Sequence, residues 1–255
     1  MVCNDKNFMK NISSLGVQAR NKVLLQKENE TMSFLNNKMN NPEDTLYLAR
    51  ICGFLCGDGN ISVWVDKNKH SHHEVRFFPD DLEMAFVFID TFEKFYGKRP
   101  SLTNRKNFYS VLACSKVATK HLRNNFVFGV YIWRAPMNIL NSDVNKIEFI
   151  RAFFDCEAHV GKRSICVQSV CKEGLLDIKE MLFDLGINSK IYMYKRKNKN
   201  WKDNYLLFII GKENIIKYHK LVGFNHSVKA GMAELVDALD LSIDDKGESR
   251  KLEPF

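Results

Sequence analysis

Two acidic residues, Asp58 and Glu157, occupy the same place in two similar segments, Ile51–Gly59 (ICGFLCGDG) and Ile150–Ala158 (IRAFFDCEA). The apolar spacing before each acid predicts a helix with the carboxylate at its C-terminal end. An acid is disfavoured there, because a helix C-terminus carries partial negative charge, and two such acids brought together repel one another. Divalent cations remove both costs, and Mg²⁺ suits one or two carboxylates with water and phosphate oxygens. If the two segments pack together, the pair therefore has the chemistry of a shared metal site.

Small residues lie at matching places inside both segments. Gly53 and Gly57 are four residues apart, as are Ala152 and Cys156, so each pair shares one helix face. Small side chains on that face let two helices approach closely. On its own, either segment is typical of an ordinary buried helix that ends in a tight turn. Two copies with the acid in register, followed by similar elements, favour a paired site.

The regions around both acids follow one order of elements. Helix starts, alternating strands and glycine turns predict a helix, two strands, a helix, two strands and a helix, twice over, in units of about 95 residues. The units divide near Asn141. The predicted domains are a polar N-terminal arm (1–44) with a helix near residues 17–27, a first half (45–140), a second half (141–230) and an acidic C-terminal tail (231–255).

The two acid-bearing segments resemble the motifs of the LAGLIDADG homing endonuclease family in its single-chain, two-motif form. Residues 172–187 and 211–224 resemble the family's second and third helices, so the resemblance covers residues 45–232. It implies an α+β fold of two pseudo-symmetric α-β-β-α-β-β-α halves, whose antiparallel sheets form a DNA-binding saddle. It also implies that Asp58 and Glu157 bind metal and are catalytic. Two positions depart from the motif: Cys56 stands where the first acid is usual, and Ala158 replaces the final glycine.

The resemblance further implies an activity. The expected protein is a monomeric, intron-encoded, site-specific endonuclease that hydrolyses one phosphodiester bond in each strand of double-stranded DNA. Its cofactor is expected to be Mg²⁺, as two or three divalent ions for which Mn²⁺ or Ca²⁺ can substitute. Family enzymes also place a basic residue near each scissile phosphate, and Arg134 (in WRAPM) and Lys229 (in VKAGM) lie 76 and 72 residues after their acids. Either residue is equally interpretable as a plain phosphate anchor.

Side chains on the outer faces of the predicted sheets are candidates for DNA contact. A β-ribbon fits the major groove, where Arg and Lys read guanine and Asn and Gln read adenine. The first-half candidates are Asn60, Ser62, Trp64, Arg76, Asn104 and Tyr109, and the second-half candidates are Lys162, Arg163, Gln168, Lys190, Tyr192 and Tyr194. A basic loop adds phosphate-contacting candidates, namely Lys195, Arg196, Lys197, Lys199, Trp201 and Lys202. A solvated sheet face and a solvated loop are the alternatives.

Three histidines, His70, His72 and His73, cluster in the first half. A structural zinc site needs more ligands than lie near them in the sequence, so they are expected to face DNA or to be exposed. The chain has seven cysteines and no CxxC spacing, which argues against both a disulfide framework and a zinc finger.

The net charge and the hydropathy of the sequence limit which binding partners and which cellular location are expected. The net charge is +8, and because residues 231–255 contain seven acidic and three basic residues, residues 1–230 carry +12. A body this basic favours a polyanionic partner, although charge does not distinguish DNA from RNA. There is no apolar run of 18 residues and no secretory signal, so no membrane partner is expected. The expected location is intracellular, in cytoplasm, nucleoid or organelle.

Alternative functions exist for the same fold. One is an RNA maturase that assists splicing, with intron RNA as a partner, and another is a DNA-binding protein that does not cut; the presence of both acids favours cleavage. An endonuclease embedded in an intein is disfavoured, since the chain starts with Met and lacks a terminal His-Asn pair. Residues 232–241 (MAELVDALDL) have a sequence that one frame of the 5′ half of a leucine tRNA gene could encode, and the reading frame is hypothesised to run into such a gene. A short amphipathic helix is the alternative for these residues.

Overall fold

The chain folds as two units with one order of elements, preceded by a long helix, α1 (Lys6–Lys38). The computed structural model describes residues 6–161, 163–196 and 202–231. The first unit contains α2 (Pro42–Cys56), β1 (Gly59–Val65), β2 (Ser71–Phe77), α3 (Leu82–Tyr96), β3 (Ser101–Asn104), β4 (Tyr109–Cys114) and α4 (Lys116–Asn125). The second contains α5 (Asp143–Glu157), β5 (Ala158–Gly161), β6 (Ser164–Ser169), α6 (Lys172–Asp184), β7 (Ser189–Tyr194), β8 (Asn204–Ile210) and α7 (Lys212–Leu221). The predicted α+β fold of two α-β-β-α-β-β-α units is confirmed.

Each unit builds one four-stranded antiparallel sheet, in the order β1-β2-β4-β3 and β5-β6-β8-β7. Strands adjacent in sequence form hairpins, and pairing of β2 with β4 and of β6 with β8 joins the two hairpins of each unit. Side chains alternate between the two faces of a strand. One face packs into the core, as for Val75 opposite Ala113 and Val167 opposite Leu207. The opposite surface is the outer face of each sheet.

Strand register corrects two of the predicted outer-face residues, Asn104 and Tyr109. These two pair with one another, and the next pair of the same parity is Leu102 with Val111. Val111 is fully buried, so this parity belongs to the core side of the sheet, and Tyr109 packs half-buried against the core. The prediction was wrong because a shift of one residue exchanges the two faces of a strand, and so short a hairpin offers little pattern to set the phase.

Helix α1 extends over 33 residues, well beyond the helix predicted near residues 17–27. Leu35 is buried, and Glu28 accepts hydrogen bonds from Lys116 (2.7 Å) and Lys120 of α4. These partners lie far along the chain, so the local pattern around α1 gives no sign of the docking. Neither α1 nor any other helix in the described part of the chain combines the length and the apolar character of a membrane span.

Aromatic side chains fill the cores beneath both sheets. In the first unit Phe54 packs against Phe77 and Phe88, with ring centroids 4.8 and 6.0 Å apart. In the second unit Phe154 stacks on Tyr218 at 5.1 Å. All five side chains are fully buried. Phe54 belongs to α2 and Phe154 to α5, so each helix anchors the core of its own unit and leaves another face for its counterpart.

Candidate active site

Helices α2 and α5 cross in direct contact because small residues line the crossing. A Cβ atom added to Gly53 would lie 2.8 Å from Ala152 Cβ and closer still to the carbonyl oxygen of Phe149. One added to Gly57 would lie 2.5 Å from Cys156 Cβ. Both separations are too short for real side chains, so glycine alone fits these two positions without movement. The crossing thus has the close approach that the sequence predicts.

Both helices begin with a capped N-terminus and end beside their acid. Asn41 caps α2 and Ser142 caps α5, each accepting a hydrogen bond from a backbone N–H of the first turn, at 3.1 and 3.3 Å. Such caps satisfy donors that have no partner within the helix. At the other end, Asp58 immediately precedes β1, and Glu157 is the last residue of α5 and precedes β5. Two helix–strand junctions therefore carry the acids.

An ion network joins the two helices away from the acids. Glu148 of α5 accepts hydrogen bonds from Arg50 of α2 (2.7 Å) and from Arg151 of α5 (2.6 Å). Arg50 also donates to Thr91 Oγ1 at 3.3 Å. Glu148 is buried, and a buried charge is tolerated only when it is paired in this way. The network holds α2 at one position along α5, which in turn determines where the acids meet.

The charge of Asp58 acts on the carboxylate of Glu157. Burial raises the pKa of Glu157 to about 7, and the charge of Asp58 adds to the shift. Asp58 keeps an exposed edge, yet desolvation by the surrounding protein and the charge of Asp80 raise its pKa as well. Lys229 opposes both shifts. Either a proton or a bound cation relieves the remaining repulsion at neutral pH.

The donor set fits a small, hard cation. Among the described residues, no three His, Cys, Asp or Glu side chains lie close enough together to hold a metal ion by themselves. Two carboxylates suffice for Mg²⁺ when water and phosphate oxygens complete its shell. Within the same part of the chain, no protein donor forms a hydrogen bond or ion pair with the Glu157 carboxylate, so its oxygens are available to a ligand. Asp58 and Glu157 are the residues that would hold such an ion.

The two predicted basic residues lie in different surroundings. Lys229 Nζ donates to the carbonyl oxygens of Asp155 (2.5 Å) and Cys156 (3.2 Å) at the end of α5. Its charge lowers the pKa of both acids. Arg134 instead forms a bidentate ion pair with Asp177 of α6, at 2.7 and 2.8 Å. The structure therefore brings Lys229 to the acids, whereas Arg134 is neutralised by its own partner.

Asp155, the first acid of the second motif, holds the segment that carries Lys229. Its buried side chain accepts hydrogen bonds from the backbone N–H groups of Asn225 (2.8 Å) and His226 (3.0 Å), and from Asn225 Nδ2 (2.9 Å). Burial raises the pKa of Asp155 to about 6 although these bonds lower it. Cys56 occupies the matching place in α2, where burial raises the pKa of its thiol, and it provides no such acceptor.

Two further acids that the sequence analysis missed, Asp80 and Asp81, contact the segment that carries Lys229, and Asp80 also lies near Asp58. A backbone hydrogen bond joins the residue after β2 to Asp58 (3.0 Å), which brings Asp80 near that acid. His226 Nε2 approaches Asp80 Oδ1 at 3.4 Å, and Ser227 Oγ donates to Asp81. Asp81 is recognisable in the sequence as the cap of α3. The position of Asp80 beside Asp58 has no local signal in the sequence.

Eight of the predicted DNA-contact residues lie on the outer faces, as their strand register shows: Asn60, Ser62, Trp64, Arg76, Gln168, Lys190, Tyr192 and Tyr194. Arg163 lies in the turn between β5 and β6, and Lys195, Arg196 and Lys202 lie between β7 and β8. Lys162, Lys197, Lys199 and Trp201 lie outside the described residues. The structure shows where these residues lie, but contact between them and DNA remains a prediction.

Some outer-face side chains already have partners within the protein. Arg76 forms an ion pair with Glu74 at 2.8 Å. Trp64 stacks on His72, with centroids 4.0 Å apart and planes inclined by 10°. A base contact by Arg76 would therefore compete with an internal carboxylate, whereas the Trp64 stack presents a ready aromatic surface.

The three histidines gather around the turn between β1 and β2. His70 and His72 approach Asp66 Oδ2 at 3.4 and 3.2 Å, and His73 Nε2 lies 2.9 Å from Ser71 Oγ. His70 is exposed, as expected. His73 pairs with Val63 and shares the core-facing parity of its strand, so for His73 the expected exposure is wrong.

Comparison with known proteins agrees with the observed fold. A family model described as a LAGLIDADG-like domain matches residues 145–223, within the second unit. The crystal structure of I-DmoI in complex with DNA and Mn superposes with a TM-score of 0.57 at 16% identity, over 71% of this chain and 97% of that chain. I-DmoI in complex with DNA and Ca gives 0.58 at 16% identity, over 75% and 98%. Both similarities extend across the two units and establish the fold.

Curated proteins are similar to this chain over a small part of their own length. Replication factor C small subunit from Methanocaldococcus jannaschii is 26% identical over 186 residues, which cover 71% of this chain and 10% of that protein. The DNA polymerase of Thermococcus kodakarensis is 25% identical over 201 residues, covering 72% and 11%. The chain thus spans about a tenth of the length of the curated relatives that it matches.

Proposed function

We propose, on the premise that this chain belongs to the LAGLIDADG family, that it is a site-specific DNA endonuclease dependent on divalent metal ions. It hydrolyses one phosphodiester bond in each strand of a duplex, with Mg²⁺ as the proposed ion and an intron as the proposed site of its gene. The observation that carries the proposal is the meeting of Asp58 and Glu157 at two crossing helix ends, where the charge of Asp58 raises the pKa of Glu157.

Three further observations support a duplex DNA partner cut by a monomer. Two solved structures with this fold contain DNA together with Mn or Ca. The first 230 residues carry a net charge of +12, which suits a polyanion. Both acids come from one chain, so a complete pair needs no second copy.

The chain's own residues divide the chemistry between them. Asp58 and Glu157 are the proposed ligands, and each must be ionised to bind a cation. A divalent ion held there supplies activation of water and stabilisation of the leaving oxygen. Because the pKa of Glu157 is about 7, this acid is mostly ionised only above neutral pH until a cation arrives.

Lys229 acts by its charge. Its Nζ already donates to the carbonyl oxygens of residues 154–156, which leaves little capacity to donate to a substrate. The positive charge nevertheless lies beside both acids, where it favours their ionised forms. The same charge stabilises negative charge that develops on a phosphate in the transition state.

The test is cleavage of a plasmid library that carries random duplex inserts. Wild-type protein is expected to linearise a subset of plasmids in Mg²⁺ and none in EDTA. Asp58→Asn is expected to cut no faster than wild-type protein in EDTA. Asp184→Asn is the matched control, because Asp184 is a half-exposed acid paired with Lys146, and full activity is expected.

The outcomes separate the candidate functions. Equal cutting by wild-type protein and Asp58→Asn would exclude a metal-binding role for Asp58. Binding of duplex DNA with no cutting in Mg²⁺ or Mn²⁺ would identify a DNA-binding protein without nuclease activity. Selective binding of structured RNA would identify an RNA maturase instead.

A further inference from the structure

The outer face of the second sheet carries a row of apolar side chains along its inner strand β8. Leu206, Phe208 and Ile210, here called the β8 apolar row, alternate with buried residues and so share the outer face. Leu206 and Phe208 are half-buried, and Ile210 is 47% exposed. Tyr192 of β7 lies opposite Leu206 and meets the Phe208 ring edge-on at 5.8 Å. The row therefore extends sideways onto a second strand.

The matching strand of the first sheet, β4, has a different outer face. Its residues there are Ser110, Leu112 and Cys114. The neighbouring strand places Arg76 opposite Leu112 and Glu74 opposite Cys114, and these two form an ion pair at 2.8 Å. At this place the first sheet has a single apolar side chain, Leu112, beside an ion pair, whereas the second sheet has three apolar side chains in a row.

Polar residues flank the β8 apolar row on both sides. Gln168 of β6 lies opposite Leu206, and Lys190 of β7 lies opposite Phe208. In the major groove of DNA, the thymine methyl group is the one apolar feature, and a Gln amide matches the adenine edge. Both features belong to A·T pairs. A lysine can bind guanine as well as phosphate, so the A·T preference rests on the β8 apolar row and Gln168, not on Lys190.

We infer that the second sheet reads an A·T-rich half-site, with thymine methyl groups packed on the β8 apolar row, and that the first sheet lacks this preference. The inference rests on the proposed cleavage of duplex DNA and names the sequence class of one half of its substrate. It also favours DNA over RNA at this surface, since uracil lacks the methyl group and the major groove of A-form RNA is too narrow for side chains to read.

The first experiment is selection of cleaved sites from the random duplex library with wild-type protein. The expected result is enrichment of A·T pairs in one half of the recovered site. The same selection with Phe208→Ser and with Ile210→Ser is expected to weaken that enrichment. Leu112→Ser is the matched control in the first sheet and is expected to leave it unchanged. Thermal unfolding of each variant shows whether it is folded.

The second experiment removes only the methyl group. Thymines in each half of a recovered site are replaced by uracil, and binding is measured by fluorescence anisotropy with Ca²⁺ in place of Mg²⁺. In the A·T-rich half, wild-type affinity is expected to fall about four-fold for each methyl group that is buried. Phe208→Ser is expected to reduce this loss, and uracil in the other half to have little effect.

Each outcome bears on a separate claim. Cleavage of sites with equal base content in both halves, or affinity that is indifferent to uracil, overturns this inference and leaves the proposed endonuclease intact. Duplex RNA bound as tightly as the DNA site also overturns it. Failure to cleave or bind any duplex overturns the proposed function together with the inference.

Discussion

The two halves of this protein share one order of elements and one sheet topology, yet their motif helices meet through unlike side chains. At the crossing, α2 has Gly53 and Gly57 where α5 has Ala152 and Cys156. The backbone of α2 therefore lies against side chains of α5. Close approach requires the absence of a Cβ atom on one side only, so one motif can depart from glycine while the other keeps it.

The segments that carry Arg134 and Lys229, near the end of each half, differ more strongly in how they are held. The segment with Lys229 is held by Asp155, from the motif helix of its own half. The segment with Arg134 is held by Asp177, from the other half, which also accepts a hydrogen bond from the backbone N–H of Ala135 (3.0 Å). Asp177 of α6 thus holds the first segment in place. Cys56 does not hold it, because Cys56 stands where the motif usually has an acid. As a result, one segment alone brings a positive charge to Asp58 and Glu157.

Substitutions that change side-chain size where α2 and α5 cross are expected to have the largest effect on stability. Gly53→Val is expected to lower the free energy of unfolding by about 3 kcal/mol, because its side chain has no space beside Phe149 and Ala152. Ala152→Gly, at the matching place of α5, is expected to cost about 1 kcal/mol through helix propensity alone. Urea unfolding followed by circular dichroism measures both. A Gly53→Val protein as stable as wild type would show that the helices do not cross this closely.

Neutralising the two basic residues tests the electrostatic difference. Lys229→Met is expected to slow cleavage by about ten- to a hundred-fold, since it removes the positive charge beside both acids. Its rate should also rise at higher pH than the wild-type rate, because Lys229 lowers the pKa of both acids. Arg134→Met is expected to keep the wild-type rate within about three-fold while losing about 1 kcal/mol of stability with its ion pair. Single-turnover cleavage from pH 6 to 9, a range of about three units around the pKa values at issue, measures the rates. Equal losses in the two variants would contradict the assignment.

One motif position is Asp155 in α5 and Cys56 in α2, and substitutions at both residues test how much each contributes to stability. Asp155→Asn is expected to cost about 1–2 kcal/mol, because the amide oxygen can keep both backbone N–H donors while the N–H₂ group replaces the oxygen that accepts from Asn225 Nδ2. Cys56→Ser is the counterpart in α2 and is expected to cost less, since the Cys56 side chain holds no loop. Urea unfolding of the pair compares them directly, and the reverse order would show that the second segment does not depend on its acid.

The pH dependence of stability without metal tests whether burial disfavours the ionised form of Glu157. The pKa of Glu157 is about 7 against an ordinary 4.5, so the folded state binds more protons than the unfolded state between these values. Stability from this group is therefore lost as pH rises through that window. Glu157→Gln removes the effect, and its Tm is expected to exceed that of wild type by a few degrees at pH 8 but not at pH 4. Parallel Tm curves for the two proteins would show that burial does not disfavour the Glu157 anion.

Added Mg²⁺ sharpens the same comparison. It is expected to raise the Tm of wild-type protein more at pH 8 than at pH 5, because the ligands must be ionised to bind. Glu157→Gln is expected to show little response at either pH. A wild-type Tm that ignores Mg²⁺ at pH 8 would argue against a metal site between the acids.

Local signals explain why the order of elements was predictable. Pro42 with its following acids marks the start of α2, and Gly97 and Gly186 adopt φ of 65° and 69° where α3 and the turn after α6 end. Each of these effects acts over a few residues along the chain. The phase of β3 and β4 failed because their four paired positions offer too little alternation to choose between the two faces.

Some features of the candidate site were likewise predictable from the sequence, and others were decided by the tertiary structure. The sequence alone was sufficient for two acids in register, for small residues at four-residue spacing and for a duplicated order of elements, because motif and periodicity are properties of neighbours along the chain. It was not sufficient for the choice between Lys229 and Arg134, for the approach of Asp80 to Asp58, or for the pairing of β2 with β4 and of β6 with β8. These depend on distances through space between residues far apart in sequence, and charges and hydrogen bonds act over those distances only after the chain has folded.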